Sequence, residues 1–415
     1  MAKVEMVNFA SPTSGSEQTV SLSKITGTPK AAVFVTSTLL SATTGADLML
    51  GFGFSDGTTN RAITVHDDDT DSPTDCNRRH SAMACGALAQ TAVLEDFSCA
   101  FSAGDLDLTY GTTWGGAANY SALVFDCEAA AVVDQTIPTS TGEFDITSMG
   151  ALFDSFIFLT ITNTNSVPNT GTVAKYSIGF ANRRGQQVCL AGAARDNVAT
   201  TDTRASLWDN RCAVLYNNTP SSGSIDELSF VGANGDGCRL NLTKSSGNAS
   251  HLFVLGLKGI DIGIRTFAQP TSTGTQNVTG ARPRPQAGVV LGSGDSRINN
   301  ATAKELFGSV GFFDSDNVNR SANFRSDSGG SASSDPRSRH WHDDEVVTSL
   351  AWGGTRGEAN TTAMLSDGVK LNWGIASQPF YHALITFGNI ESGRRSMTST
   401  RGDCWRCRDL NRLKV

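Results

Sequence analysis

The sequence predicts an all-β protein built from three tandem homologous modules of β-sandwich or jelly-roll-like type, followed by a short basic C-terminal tail. The first observation behind this prediction is a Gly-Phe pair that occurs within three similar strand-like runs. Its glycines are Gly53, Gly179 and Gly311, which lie 126 (179 − 53) and 132 (311 − 179) residues apart. A motif that returns at a nearly fixed period indicates internal repeats.

A second motif keeps the same spacing. A Pro-Thr-Ser turn begins at Pro12, Pro138 and Pro270, so its prolines are again 126 (138 − 12) and 132 (270 − 138) residues apart. The third observation is the composition, because charged residues make up only 18% of the chain while it contains 42 glycines. Polarity carried by Ser, Thr, Asn and Gly is typical of short strands joined by many turns.

Taken in order, the copies are expected at residues 1–132, 133–260 and 261–390, with the tail at 391–415. Strand-like runs in copy one are 31–35, 48–54, 92–94, 97–101, 106–110 and 121–125, and residues 65–80 are interpreted as a long polar excursion. Runs in copy two are 156–159, 176–180, 213–216, 228–231, 238–242 and 251–255. Runs in copy three are 288–291, 346–350, 369–373 and 382–387. Asp-Gly turns at 236–237 and 367–368 predict hairpins.

Three such copies can pack around a pseudo-threefold axis or extend as a rod, and the sequence leaves both arrangements open. In either case the Gly-x-Gly of residues 51–53 is expected to let a neighbouring backbone approach or to relieve a bend. The phenyl group after each repeated glycine is expected to anchor a core strand, while the polar residues that follow it vary between the copies.

The charge argues against nucleic acid and anionic membranes as partners. The formal net charge is −7. Residues 391–415 carry seven Lys and Arg against three Asp and Glu, or 7 − 3 = +4, which leaves −11 for the rest. No secretion signal or membrane span is predicted, so we expect a soluble chain made in a cytoplasm. Most of the nine cysteines should then be small buried thiols.

Two acidic runs, residues 66–71 and 314–319, have the oxygen ligands that calcium prefers. Neither run has a complete twelve-residue calcium loop, and copy two has Arg183 and Arg184 at the corresponding place. A solvated acidic loop is therefore the favoured interpretation.

The segment 340–345 contains His340 and His342, which a strand would place on one face, so zinc binding or acid–base chemistry is a candidate. The same region of the other copies holds Arg79-His80-Ser81 and Ser206-Leu207-Trp208, and this variation favours a structural role.

Cys404 and Cys407 form a Cys-x-x-Cys pair without a second pair or a nearby pair of histidines, so neither zinc nor a redox motif is favoured. The tripeptide Arg401-Gly402-Asp403 is attributed to chance. The chain contains no nucleophile elbow, phosphate loop or zinc-protease motif. We therefore expect no enzyme activity, no cofactor and no metal.

The chain resembles virion structural proteins of tailed bacteriophages of the marine-phage type. The resemblance rests on residues 51–54, 76–80, 230–242, 338–340, 367–373 and 381–384. It implies a head-decoration protein or a tail or fibre component that is assembled in the host cytoplasm, is multimeric in the particle and acts through contacts with other virion proteins. The basic tail is then the expected contact segment, through Arg394, Arg395, Arg401, Trp405, Arg406, Arg408 and Arg412.

The alternative is a tail protein that binds a host receptor or surface glycan. This function requires exposed aromatic platforms, and the candidates are Trp114, Trp208, Trp341 and Trp352. A tail-spike glycan hydrolase is less favoured, because the three copies share no pair of acids.

Overall fold

The computed structural model of the chain describes residues 2–37, 44–68, 72–89, 92–161, 167, 169–300, 306–327, 329, 337–351 and 354–390. These residues form antiparallel β-strands and one short 3₁₀ helix at Pro220–Ser222. No helix within these ranges is long and apolar enough to cross a membrane.

The strands fall into three consecutive groups. Module 1 contains β1 (Lys3–Ala10), β2 (Glu17–Ser21), β3 (Ala31–Thr36), β4 (Thr44–Ala46), β5 (Leu48–Ser55), β6 (Asn60–Asp67), β7 (Cys76–Ser81), β8 (Cys85–Ala89), β9 (Ala92–Ser102), β10 (Asp105–Thr112) and β11 (Asn119–Asp126). Module 2 contains β12 (Ala129–Ile137), β13 (Gly142–Ile146), β14 (Ser155–Ile161), β15 (Asn169–Thr172), β16 (Ala174–Asn182), β17 (Gln187–Ala194), β18 (Thr203–Trp208), β19 (Ala213–Tyr216), β20 (Ser224–Asn234), β21 (Gly237–Lys244) and β22 (Ser250–Lys258). Module 3 contains β23 (Ile260–Ala268), β24 (Gly274–Thr279), β25 (Ala287–Gly292), β26 (Leu306–Asp314), β27 (Asn319–Ser326), β28 (Arg337–His342), β29 (Val347–Ala351), β30 (Gly354–Leu365), β31 (Gly368–Ala376) and β32 (Tyr381–Asn389).

Each module is a sandwich of a large and a small antiparallel sheet. In module 1 the large sheet has the order β1-β11-β3-β5-β6-β7 and the small sheet the order β2-β10-β9-β8. The first strand pairs with the last and the second with the next to last, which is a nested, jelly-roll-like pattern. Modules 2 and 3 repeat both orders. The predicted all-β fold of repeated sandwiches is confirmed.

The three large sheets enclose one common hydrophobic core. Module 1 contacts module 2 where β6 packs against β16. Module 2 contacts module 3 where both β17 and β18 pack against β26, and module 3 contacts module 1 where β27 packs against β5. The modules therefore close a ring rather than extend as a rod. Phenyl groups from different modules meet in this core. The ring centroids of Phe52 and Phe312 are 6.2 Å apart, and those of Phe180 and Phe387 are 6.4 Å apart. Each sandwich also has its own core between its two sheets. The central strands of the large sheets, such as β5, β16 and β26, are therefore buried on both faces.

Neighbouring modules exchange short strands. The large sheet of module 1 is extended at β7 by β15 of module 2, and the large sheet of module 3 is extended at β28 by β4 of module 1. An added strand pairs the backbone groups of an edge that would otherwise be open. The ring is thus held by backbone hydrogen bonds as well as by apolar contacts.

The repeated glycine is required by the approach of a backbone carbonyl. A Cβ at Gly53 would lie 2.2 Å from the carbonyl oxygen of Ala84. A Cβ at Gly179 would lie 1.7 Å from the carbonyl oxygen of Cys212, and one at Gly311 would lie 1.7 Å from that of Val346. The three carbonyls precede β8, β19 and β29, the equivalent strands of the three small sheets. The following residues, Phe54, Phe180 and Phe312, are fully buried in the common core. Backbone approach and phenyl anchoring are both confirmed.

The predicted polar excursion at residues 65–80 is wrong for half of its length, residues 65–67 and 76–80. Residues 60–67 form β6 and residues 76–81 form β7, two neighbouring strands of the large sheet. Many of their polar residues are buried, among them His66, Asp67 and His80. Burial of hydrogen-bonding side chains inside the ring makes these strands resemble a loop in sequence.

The predicted limits of the copies lie close to two chain segments that connect the modules. Residue 132 lies within β12, which pairs with β22, and residue 260 begins β23, which pairs with β32. The connecting segments are therefore residues 127–128 and the single residue Gly259. The predicted tail, residues 391–415, lies outside the described residues.

Candidate functional site: the junctions between modules

The histidine pair predicted at 340–342 lies on one face of β28, with ring centroids 5.2 Å apart. His340 is buried, and burial together with the neighbouring His342 lowers its pKa to about 4. His342 Nε2 lies 4.0 Å from Glu358 Oε1. Among the described side chains, no group of three or more His, Cys, Asp or Glu is arranged to hold a metal ion.

The equivalent of His340 in the other modules is a different polar residue with a structural partner. By strand register this position is Arg79 in module 1 and Ser206 in module 2. Arg79 forms an ion pair of 2.9 Å with buried Asp96, and Ser206 Oγ accepts a hydrogen bond from Trp208 Nε1 at 2.6 Å. One position inside the sandwich is thus filled in three ways, as expected for packing rather than shared chemistry.

The acidic runs have partners within the protein. Asp67 is buried at the end of β6, where its Oδ1 accepts a hydrogen bond of 2.9 Å from the Cys76 thiol, and residues 69–71 lie outside the described part. In the second run, Lys24 Nζ lies 2.7 Å from Asp314 Oδ2 and 2.8 Å from Asp316 Oδ2. An ammonium group therefore lies between the two carboxylates that had been considered as calcium ligands.

The expected exposure of the tryptophans is wrong for two of them. Trp208 is 6% and Trp341 1% exposed, and Trp341 packs into the common core. Trp114 is partly buried against the core of module 1. Trp352, the Arg401-Gly402-Asp403 tripeptide, the Cys404–Cys407 pair and all seven predicted tail contacts lie outside the described residues. The seven described cysteines are buried and form no disulfide, as predicted for buried thiols.

Polar side chains that bind from one module to the next lie in three hairpins that follow the repeated Gly-Phe pairs. These hairpins connect β5 to β6, β16 to β17 and β26 to β27, and each contacts the next module around the ring. In the first hairpin, Asp56 Oδ2 accepts a hydrogen bond of 2.8 Å from the backbone N–H of Val132 in module 2. Asp56 Oδ1 also accepts hydrogen bonds from Thr58 and Thr59 in its own turn.

The second hairpin connects module 2 to module 3 through Arg184. Its guanidinium donates to Asp261 Oδ2 at 2.8 Å and to the carbonyl oxygens of Ile262 and Arg282 at 2.9 and 3.1 Å. Asn182 Nδ2 donates to the same Ile262 carbonyl at 2.6 Å. Burial raises the pKa of Asp261, although Arg184 beside it favours the charged form.

The third hairpin connects module 3 to module 1 through the contacts of Asp314 and Asp316 with Lys24. Asp314 Oδ1 also accepts backbone N–H groups of its own turn, from Asp316 at 2.9 Å and Val318 at 3.3 Å. The charges at this junction are reversed relative to those at the second, where the hairpin carries the cation. The polar residues of these hairpins were expected to vary freely between the copies. Their charges are visible in the sequence, but the partners Asp261 and Lys24 lie 77 and 290 residues away in the chain.

A cavity of about 390 Å³ lies where the connecting segments meet at the same end of the ring. It is lined by Ala2, by residues 126–128 and by Gly259, Asn389 and Ile390. Ala2 and Ile390, the first and last described residues, therefore lie close together. They occupy the position between modules 3 and 1 that a connecting segment occupies between the other modules. Gln286 also joins this end of module 3 to module 1, by accepting the N–H of Val4 at 3.0 Å and donating to the Ala2 carbonyl at 3.1 Å.

The contacts at these junctions hold the modules of the chain together. Of the residues singled out from the sequence, His340 and Asp67 are buried, and Asp314 and Asp316 form ion pairs with Lys24. Comparisons with protein-family models, with curated proteins and with solved structures gave no significant match.

Proposed function

We propose that the chain is a structural component of a bacteriophage virion that acts through protein–protein contacts, as a head decoration or as part of the tail or its fibres. The observation that supports this most is the closed ring, in which one chain encloses a single core with three sandwiches. Such a chain offers three similar faces around an axis, so it fits a threefold position in a particle without needing three subunits.

The use of polar residues agrees with a structural role. The ion pairs Arg184–Asp261 and Lys24–Asp314 connect modules to one another, and Arg79–Asp96 lies inside a sandwich. The carbohydrate-binding alternative depended on exposed tryptophans, and the burial of Trp208 and Trp341 removes two of its four candidates. A virion component therefore remains the better proposal.

The basic tail is proposed as the segment that anchors the chain to an acidic neighbour in the particle, through Arg394, Arg395, Arg401, Trp405, Arg406, Arg408 and Arg412. The described chain ends at Ile390, in the wall of the cavity where the modules meet. The tail therefore follows directly from the end of the ring at which the connecting segments meet.

The experiment is to raise antibodies against the purified chain and apply them to density-gradient-purified particles released from the host. We expect the chain to be found in the particle fraction by mass spectrometry and at one site by immunogold electron microscopy, while a host cytoplasmic protein is absent. Recovery only in the soluble fraction would refute the virion role. Undiminished incorporation of a variant lacking residues 391–415 would refute the anchoring role of the tail alone.

A further inference from the structure

The junction between modules 2 and 3 presents a basic surface. Four exposed arginines, Arg184, Arg265, Arg282 and Arg284, form what we term the arginine patch. Arg184 and Arg282, together with Gln186 and Gly280, line an open cavity of about 270 Å³. Arg265 Cδ lies 4.0 Å from the position that a Cβ of Gly280 would occupy. The patch thus includes groups from both modules around one depression.

The backbone that carries this patch is held firmly. Pro283 and Pro285 are buried whereas Arg282 and Arg284 are exposed, so the two arginines alternate with anchoring prolines. Proline fixes its own φ angle, which limits the freedom of the segment. The N–H groups of Gly280 and Ala281 donate to the side chain and the backbone carbonyl of Asp367. Side chains presented from an ordered backbone lose less entropy when they bind.

The positive charge of the arginine patch exceeds the negative charge of the carboxylates beside it. Asp261 forms an ion pair with Arg184, and Asp367 lies beside Gly280. Four guanidinium groups against these two carboxylates leave 4 − 2 = +2 formal charges at this place, in a chain whose net charge is −7. The patch is therefore a local reversal of the overall charge.

The other two junctions do not have this character in their described residues. The hairpin between modules 1 and 2 carries Asp56, which accepts the N–H of Val132, and the loop of module 2 between β13 and β14 exposes the apolar side chain of Leu152, which is 44% exposed. The junction between modules 3 and 1 combines Asp314 and Asp316 with Lys24. The ring is thus similar in backbone but distinct in charge at its three junctions.

We infer that the arginine patch is a docking site for an acidic peptide segment of a partner protein. Guanidinium groups bind carboxylates with paired, charge-assisted hydrogen bonds, and Arg282 and Arg284 present theirs to solvent. An acidic protein segment is favoured over a polyphosphate, because the function proposed for the chain depends on contacts with other proteins. The inference deepens the proposed virion role by naming the chemistry of a partner, but its test requires no particle, so each can fail alone.

The test measures binding of a fluorescent decaglutamate peptide to the full-length chain by anisotropy at low ionic strength. We expect salt-sensitive binding that weakens about tenfold or more in the double variant Arg282→Ser/Arg284→Ser. Both side chains are exposed, so the variant should keep the near-ultraviolet circular dichroism of the parent. The matched control is the double variant Arg239→Ser/Arg297→Ser, whose side chains are 47% and 63% exposed and lie outside the patch and the basic tail.

Retained binding in the control and loss in the patch variant would support the site. The inference is overturned if the parent chain does not bind decaglutamate, if the patch variant binds as well as the parent, or if the control variant loses as much binding as the patch variant. It is also overturned if a ten-residue oligothymidylate binds the patch more tightly than decaglutamate, because the partner would then be a nucleic acid.

Discussion

Replacing Gly179 with alanine should destabilise the protein strongly, because the new Cβ has no room. It would lie 1.7 Å from the carbonyl oxygen of Cys212, whereas an ordinary contact begins near 3.4 Å, so the two backbones must separate by about 3.4 − 1.7 = 1.7 Å. The Cys212 N–H is bonded to Leu228 O at 2.9 Å, which holds this segment to β20 and limits its retreat. Overpacking in such a site costs about 3 kcal/mol.

Two smaller effects adjust this magnitude. Loss of the Cys212–Leu228 hydrogen bond would add about 1 kcal/mol of destabilisation. The reduced freedom of alanine in the unfolded chain would return about 0.4–1 kcal/mol. The steric cost dominates, so we expect the free energy of unfolding to fall by about 3 kcal/mol.

The assay is equilibrium urea unfolding followed by tryptophan fluorescence. The matched control is Gly232→Ala in β20 of the same module, where a Cβ would have no atom within 4 Å, and its free energy of unfolding should stay within about 0.5 kcal/mol of the parent. If Gly179→Ala unfolds at the same urea concentration as the control, carbonyl approach does not explain the repeated glycine.

Three further outcomes follow from the ring and its buried groups. Asp314→Asn should lower the free energy of unfolding by about 1–2 kcal/mol in urea titrations, because Lys24 keeps only the exposed Asp316; an unchanged midpoint would show that the junction adds nothing. Burial lowers the pKa of His382 to about 3, so its contribution to stability is complete above about pH 6.5 and declines as the pH falls toward 3. Between pH 6.5 and 5 the free energy of unfolding should fall by about 2 kcal/mol from this group. His382→Gln should reduce the pH dependence of the free energy of unfolding measured in urea, whereas parallel curves for variant and parent would contradict this role of His382. A circular permutant that joins Ile390 to Ala2 by a short Gly-Ser linker and opens the chain at residues 127–128 should fold with an unchanged circular dichroism spectrum; an aggregated product would argue against the closed ring.

The sequence predicts best those features that depend on local backbone requirements. The glycines of the Gly-Phe pairs and of the Asp-Gly turns are set by close approach, as at Gly237, where a Cβ would lie 2.3 Å from the Ile146 carbonyl oxygen. The glycine of the Gly-Phe pair recurs in every copy because the same contact recurs, whereas the glycine of the Asp-Gly turn recurs in copies two and three. Strands β6 and β7 were missed because buried polar residues such as His66 and Asp67 have the composition of a loop.

The junctions could not be predicted from local pattern, because their partners are distant in the chain. Arg184 and Asp261 are 77 residues apart and Lys24 and Asp314 are 290 apart. The choice between ring and rod did have a signal in the sequence. Continuous apolar runs such as 48–54 and 156–159 need burial on both faces, which a rod of independent sandwiches would not provide.

The exchanged strands also limit how this chain can be shortened. A fragment that ends after module 1 lacks β15 and would expose the unpaired backbone of β7, while module 3 alone lacks β4 and would expose β28. Each fragment would also expose the face of its large sheet that now lies in the common core. A bare edge beside an apolar face promotes self-association. Single modules should therefore be recovered as assemblies or aggregates, and the smallest independently soluble unit of this protein is the complete set of three.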